Sequence, residues 1–197
     1  MKLIFVRHGR DDPRYRGGWS SRDLVPEGEA QAARLARHLK ENICVYGITK
    51  ILPADLPRTM TTANIIASEL DLPVCGEPRL REINNGDLAG MDNESAIEKF
   101  PGLFFSTLEM DTSYPNGESP GEFFARIKTW FREYTSDCRD GNVLVVTHGG
   151  VINVVYHLVK GLEWSNRGPV FRADNCSVHV LDLDAMEFET ENRTDFL

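Results

Sequence analysis

The chain has 197 residues, 41% hydrophobic and 26% charged, an ordinary folded-domain composition that excludes disordered, collagen-like and fibrous classes. That length suits one compact domain with a proper core. Lys+Arg 22 against Asp+Glu 30 gives a formal net charge of -8, which argues against a general nucleic-acid or anionic-membrane binder and makes any anion site a local one.

Leu3-Ile4-Phe5-Val6 is a continuous apolar run, the pattern of a strand buried on both faces of a parallel sheet. From Pro26, residues Ala32, Leu35, Ala36, Leu39 and Ile43 recur at helical spacing, with the proline where a first turn tolerates it. Ile48 to Leu52 reads as a second strand, and Met60, Ala63, Ala67 and Leu70 mark a helix ending before Pro73. Between Asn84 and Ser119 the periodicity weakens under Gly86, Gly90, Pro101, Gly102, Pro115 and Gly117, so 84–119 is expected to be a lid or insertion within a single domain, 1–197. Its Phe100, Leu103, Phe104 and Phe105 either cap a site or pack onto the core.

Phe123, Ile127, Trp130, Phe131 and Tyr134 form a third helical stripe, Val143 to Val146 a buried strand, and Val151, Val154, Val155 and Leu158 a fourth helix. The last strands are Ser177 to Leu183 and a short run near Phe188. The strand–helix alternation predicts an α/β fold, a three-layer α/β/α sandwich with a mainly parallel central sheet. Such sheets bind ligands beyond the C-terminal ends of their strands.

Cys44, Cys75, Cys138 and Cys176 lack the C-x-x-C spacing of a zinc or redox site and are expected to be reduced and mostly buried. The apolar start is too short for a signal peptide, and no window approaches the roughly 18 apolar residues of a membrane span; the cytoplasm is the expected location.

Three junctions hold the chemistry. Arg7-His8-Gly9 follows the first buried strand, where glycine lets the backbone approach a ligand closely. Thr147-His148-Gly149-Gly150 leaves another buried strand and enters a helix whose first N–H groups attract anions. Arg58 lies near the start of the helix after the second strand. Each alone is a common turn or helix start. Together they converge on one sheet edge as a cationic pocket best fitted to a tetrahedral dianion.

In these motifs the chain resembles the histidine phosphatase superfamily, also called phosphoglycerate mutase-like. Further matches are Leu24 to Gln31, Arg58 to Ala63, Leu80-Arg81-Glu82-Ile83 with Gly86 and Gly90, and Asn116-Gly117-Glu118-Ser119. The resemblance covers essentially the whole chain. It implies His8 as nucleophile, a neutral imidazole whose second nitrogen donates to a backbone carbonyl. Arg7, Arg58, His148 and Gly149 would bind the phosphoryl group, and Glu82 would protonate the leaving alkoxide and then activate water. Asp11 and Asp87 are the weaker candidates for that acid. No metal or cofactor is implied, and the partner is a small-molecule phosphate ester.

Where relatives carry Glu or Gln, then Ser or Thr, and a little later an Asn that touches phosphate, this chain has Arg10-Asp11-Asp12 and then Arg14; Thr61 stands where Gln is common. Arg10 and Arg14, with Arg16 and Arg22, either add positive charge at the pocket mouth or pair with nearby carboxylates on the surface. Trp19 either touches substrate or packs. His38, His157 and His179 are expected to be structural or exposed.

The compact form is similar to alpha-ribazole and broad-specificity phosphatases, so hydrolysis of phosphate monoesters through a phosphohistidine is the expected function. A phosphoglycerate mutase-type transfer is the alternative, and a non-catalytic phosphate- or protein-binding module a weaker one.

Overall fold

The computed structural model describes residues 1–137 and 141–197; Cys138 lies outside them. The elements are β1 (Lys2–Arg7), α1 (Pro26–Glu41), α2 (Ile43–Tyr46), β2 (Ile48–Pro53), α3 (Pro57–Leu70), α4 (Asn93–Lys99), α5 (Pro120–Asp137), β3 (Asn142–Thr147), α6 (Gly149–Lys160), β4 (Val178–Asp182) and β5 (Glu187–Arg193).

The strands form one sheet in the order β2-β3-β1-β4-β5. β1 and β2 each pair parallel with β3, while β4 runs antiparallel to β1 and β5 antiparallel to β4, so only β4 opposes the common direction. Ile4, Val6, Leu144 and Val146 pack with Leu35 and Leu39 of α1 and Ile66 of α3. Leu3, Phe5, Val143 and Val145 pack on the other face with Phe123 and Trp130 of α5 and Val151 and Val155 of α6. Both parities of β1 and β3 face a core, which is why their sequences are apolar without alternation.

The region 84–119 carries the short α4, which its local sequence does not announce. The Asp92 side chain caps it by accepting from the Ser95 N–H at 2.9 Å. Leu88, Leu108 and Tyr114 are buried in the α5/α6 core, with Phe100, Leu103 and Phe105 packed against it.

Two expectations need correction. Cys44 and Cys75 are exposed and only Cys176 is buried among the described cysteines. Cys75 follows Val74, which bridges to Ile51 at the edge of β2, and the alternation of an extended chain turns the next residue outward. Ile43 does not extend the first helix, which ends at Glu41 before the separate turn of α2. His38, His157 and His179 are all buried. His38 contacts the Tyr46 hydroxyl at 3.0 Å, and His179 bonds the Tyr156 and Ser177 hydroxyls at 2.8 and 2.9 Å.

The loop after β1 is stitched to the start of α1. The Val25 N–H donates to the Arg10 carbonyl at 3.0 Å and the Arg10 N–H to Gln31 Oε1 at 2.9 Å. A side-chain carbon on Gly9 would collide with the Gly28 carbonyl, and one on Gly28 with the Arg10 backbone. Gly9 therefore serves a backbone–backbone approach within the fold. Gly28→Ala is expected to cost about 1–3 kcal/mol in a denaturant titration and to lower phosphate affinity, because the displaced loop holds His8.

Candidate active site

β1, β2 and β3 run parallel, so their C-terminal ends lie at one edge of the sheet. Arg7 ends β1 and His8 follows it, His148 follows β3, and Arg58 sits in the first turn of α3 after β2. His8 is 4% exposed, Arg58 2% and His148 0%.

His8 Nδ1 lies 2.7 Å from the Gly9 carbonyl. A carbonyl only accepts, so the proton sits on Nδ1 and the Nε2 lone pair is left for another partner. Arg58 Nε donates to that Nε2 at 3.3 Å. Arg58 Nη2 lies 3.2 Å from His148 Nδ1. A guanidinium only donates, so His148 must accept at Nδ1 and hold its proton on Nε2. That Nε2 is buried without a hydrogen-bond partner, as is Arg7 Nε. Buried donors of this kind are costly unless a ligand satisfies them.

The remaining Arg58 contacts are to the Gly18 carbonyl at 2.8 Å and the Ser20 carbonyl at 3.4 Å, with Asp11 Oδ2 3.7 Å from Nε. Arg7 Nη1 donates to the Ala173 carbonyl at 2.8 Å. Burial, followed by the Arg58 and Arg7 charges, holds the His8 pKa well below the ordinary imidazole value; the Gly9 bond opposes this. Burial and then Arg58 do the same to His148. Burial also lowers the Arg58 pKa, against the pull of Asp11 and Glu82. Both imidazoles are neutral. His148 thus presents an N–H rather than a full charge, and the formal positive charge comes from the arginines.

Glu82 reaches the same edge from the segment after β2 and α3. Its Oε2 accepts the Gly150 N–H at 3.0 Å and its Oε1 the Ile83 N–H at 3.2 Å. A side-chain carbon on Gly150 would collide with the Glu82 carboxylate, so glycine there lets the acid dock on the first turn of α6. Gly149 packs beside the Arg7 guanidinium.

Sequence reasoning overlooked Arg126 and Asn175 among the groups that hold this constellation. Arg126 of α5 is gripped by Glu118 with two bonds of 2.8 Å and donates to the carbonyls of Arg79, Arg81 and Glu82. The Trp19 indole donates to the Glu82 carbonyl at 2.8 Å while Arg81 lies over its ring, so this tryptophan packs. Asn175 donates to the His8 carbonyl at 3.0 Å. The one available signal was an arginine beside the apolar positions Phe123 and Ile127. Arg10 and Arg14 form surface ion pairs with Glu27 and Asp12 at 2.8 and 2.6 Å. Asp87 is exposed and accepts from Asn116, while Thr61 donates to Asp23.

Among the described residues, no group of three or more His, Cys, Asp or Glu is placed to hold a metal ion, and no helix is long and apolar enough to cross a membrane.

An α/β sheet with an arginine–histidine pair, a buried arginine and a second histidine at three strand ends defines a phosphoryl-handling enzyme. The chain belongs to the histidine phosphatase superfamily (branch 1), whose profile matches residues 3–195. It is 30% identical over 187 residues to a probable phosphoglycerate mutase GpmB of Erwinia tasmaniensis, covering 92% of this chain and 85% of that protein. The protein of the same name from Escherichia fergusonii is 31% identical over 194 residues, with coverage of 95% and 87%. Among solved structures, Bacillus stearothermophilus YhfR superposes with a TM-score of 0.84 at 23% identity, covering 99% and 98% of the two chains. An alpha-ribazole phosphatase from Shigella flexneri gives 0.82 at 23%, covering 98% and 96%. A mycobacterial glucosyl-3-phosphoglycerate phosphatase gives 0.76 at 24%, covering 97% and 98%. These structures share the fold.

The lowered histidine pKa values have a thermodynamic sign. Below about pH 6.5 the unfolded chain binds protons that buried His8 and His148 refuse, so stability falls as pH falls through that window. The expected slope is up to about 1.4 kcal/mol per pH unit for each such group. Melting temperatures from pH 7.5 to 5 should drop, and His148→Gln should flatten the drop.

Proposed function

We propose that the protein is a metal-independent phosphatase that hydrolyses small-molecule phosphate monoesters in the cytoplasm through a phosphohistidine on His8. The observation that carries this reading is the buried set of donors around His8 Nε2: Arg58 beside it, and the unpartnered His148 Nε2 and Arg7 Nε.

In this reading the phosphate dianion takes over Arg58, Arg7 and the His148 N–H, assisted by the first-turn amides of α6 at Gly149. Arg58 then releases the His8 lone pair. The His8 Nε2–phosphorus bond forms while the ester P–O bond breaks, and protonated Glu82 gives its proton to the departing alkoxide. Water next attacks phosphorus, Glu82 takes its proton, and the N–P bond breaks to free phosphate. The arginines and the His148 N–H stabilise the charge on the equatorial oxygens in both steps. The 84–119 region serves as a lid over the leaving group, a role supported by Phe105 in the cavity wall beside Glu82.

The names of the relatives at 30–31% identity favour one second reading, a mutase that returns the phosphoryl group to a reoriented phosphoglycerate. Phosphate release with chelator present decides between them. The expected result is release from p-nitrophenyl phosphate that chelator leaves unchanged and His8→Ala abolishes. Glu82→Gln should slow formation of the phosphohistidine from alkyl phosphates by about 10²–10⁴-fold while sparing that step with p-nitrophenyl phosphate, whose leaving group needs little protonation. Interconversion of phosphoglycerates without net release would establish the mutase instead.

A further inference from the structure

Beside the phosphate-binding groups lies a half-open cavity of ≈ 360 Å³ that Glu82, Gly149 and Gly150 share as one wall. Ile83, Phe105, Phe123, Trp164, Pro169 and Val170 supply most of the rest. Its volume is within the range of sites that hold drug-sized molecules. We propose that this cavity makes the enzyme selective for phosphate monoesters of bulky, uncharged, apolar alcohols, aromatic ones above all, and against phosphoglycerates. The inference rests on the phosphatase reading and names the substrate class of that site.

Position decides which part of a substrate goes there. With phosphorus held at His8 and the leaving oxygen directed at Glu82, the alcohol must extend along the wall to which Glu82 belongs. That wall is aromatic. The Trp164 ring stands 6.1 Å from Phe123 and 6.3 Å from Phe105 by centroid and stacks on Phe124 at 5.1 Å. Trp164 is 7% exposed and Phe123 1%, so the surface is a packed, rigid one.

Charge decides which alcohols are refused. Among the described residues that line the cavity, Glu82 is the only ionisable one; the polar remainder is Asn153, Ser165 and Asn166. Asn166 is already committed to the carbonyls of Phe105 and Leu108 at 2.6 and 2.9 Å. Of the cations nearby, Arg126 is held by Glu118 and Arg167 by Glu109 at 2.7 Å, while Arg16, over the Phe104 ring at 5.1 Å and with its Nε unpartnered, does not line the cavity. A glycerate carboxylate would lose its water against aromatic carbon, with no lining cation to meet it. A benzyl group would lose only unfavourable hydration. Val170, another lining residue, is 84% exposed, an apolar side chain open to solvent beside the cavity.

Non-hydrolysable phosphonates separate this question from turnover. Benzylphosphonate is expected to bind at least tenfold more tightly than either methylphosphonate or 3-phosphonopropionate, by calorimetry and as a competitive inhibitor. Benzyl phosphate should exceed 3-phosphoglycerate at least tenfold in kcat/KM, the two leaving alcohols being similarly basic. Val170→Asp, at an exposed position where folding is not at stake, should reduce the benzyl preference at least threefold, and Trp164→Ala should reduce it further. Equal or reversed affinities of the phosphonates, with turnover still dependent on His8, would overturn the substrate class and leave the phosphatase standing. Failure of all three phosphonates and inorganic phosphate to bind, together with hydrolysis indifferent to His8→Ala, would remove both readings.

Discussion

Arg58 is a fully charged guanidinium buried to 2% exposure, and much of the site's geometry depends on how that charge is accommodated. Its close partners are two carbonyls and two imidazole nitrogens; the Asp11 carboxylate stands off at 3.7 Å. Because a guanidinium can only donate, each histidine nitrogen it touches must accept. The tautomers of His8 and His148 follow from that one constraint and from the Gly9 carbonyl. An imidazole nitrogen without a proton and a buried N–H without a partner are its two consequences. A buried cation this weakly compensated is stable next to neutral imidazoles and becomes most stable when an anion arrives.

The acid half of the site is organised by a second arginine. Arg126 binds the carbonyls of the segment from Arg79 to Glu82 and is itself fixed by Glu118, so the 84–119 region is anchored to the chain that presents Glu82. The Asn116-Gly117-Glu118-Ser119 motif thereby acquires a structural meaning: Glu118 Oε2 also accepts the Asn84 N–H at 2.9 Å. The absence of a side chain at Gly150 then allows the carboxylate to meet the first turn of α6. The two halves differ in character. One concentrates positive charge within a chain of net charge -8, and the other is a largely apolar enclosure around a single ionisable side chain, Glu82.

Periodicity alone disclosed the alternating elements, because strands with a core on each face must be apolar throughout and helices with one buried stripe must repeat near 3.6 residues. Short elements escaped it. α4 has only seven residues and depends on the Asp92 cap, and α2 is a single turn. The buried histidines escaped for another reason: His38 and His157 look polar along their helices, and only Phe196 stacked on the first at 4.3 Å and Phe171 against the second at 5.2 Å make those positions interior.

The sequence by itself determined the fold class, the family, and the identities of the groups that meet at the strand ends, since each follows from residue order and from where parallel strands must terminate. Tertiary structure alone decided which nitrogen of each histidine is free, that Arg126 and Trp19 support Glu82, that Arg10 and Arg14 are spent in surface ion pairs, and that Glu82 borders a cavity lined by aromatic carbon. These are contacts between segments as much as 90 residues apart, as Arg58 and His148 are, and they turn on distances of a few tenths of an ångström. Hydrogen-bond direction and burial are properties of the assembled pocket, and no local pattern encodes them.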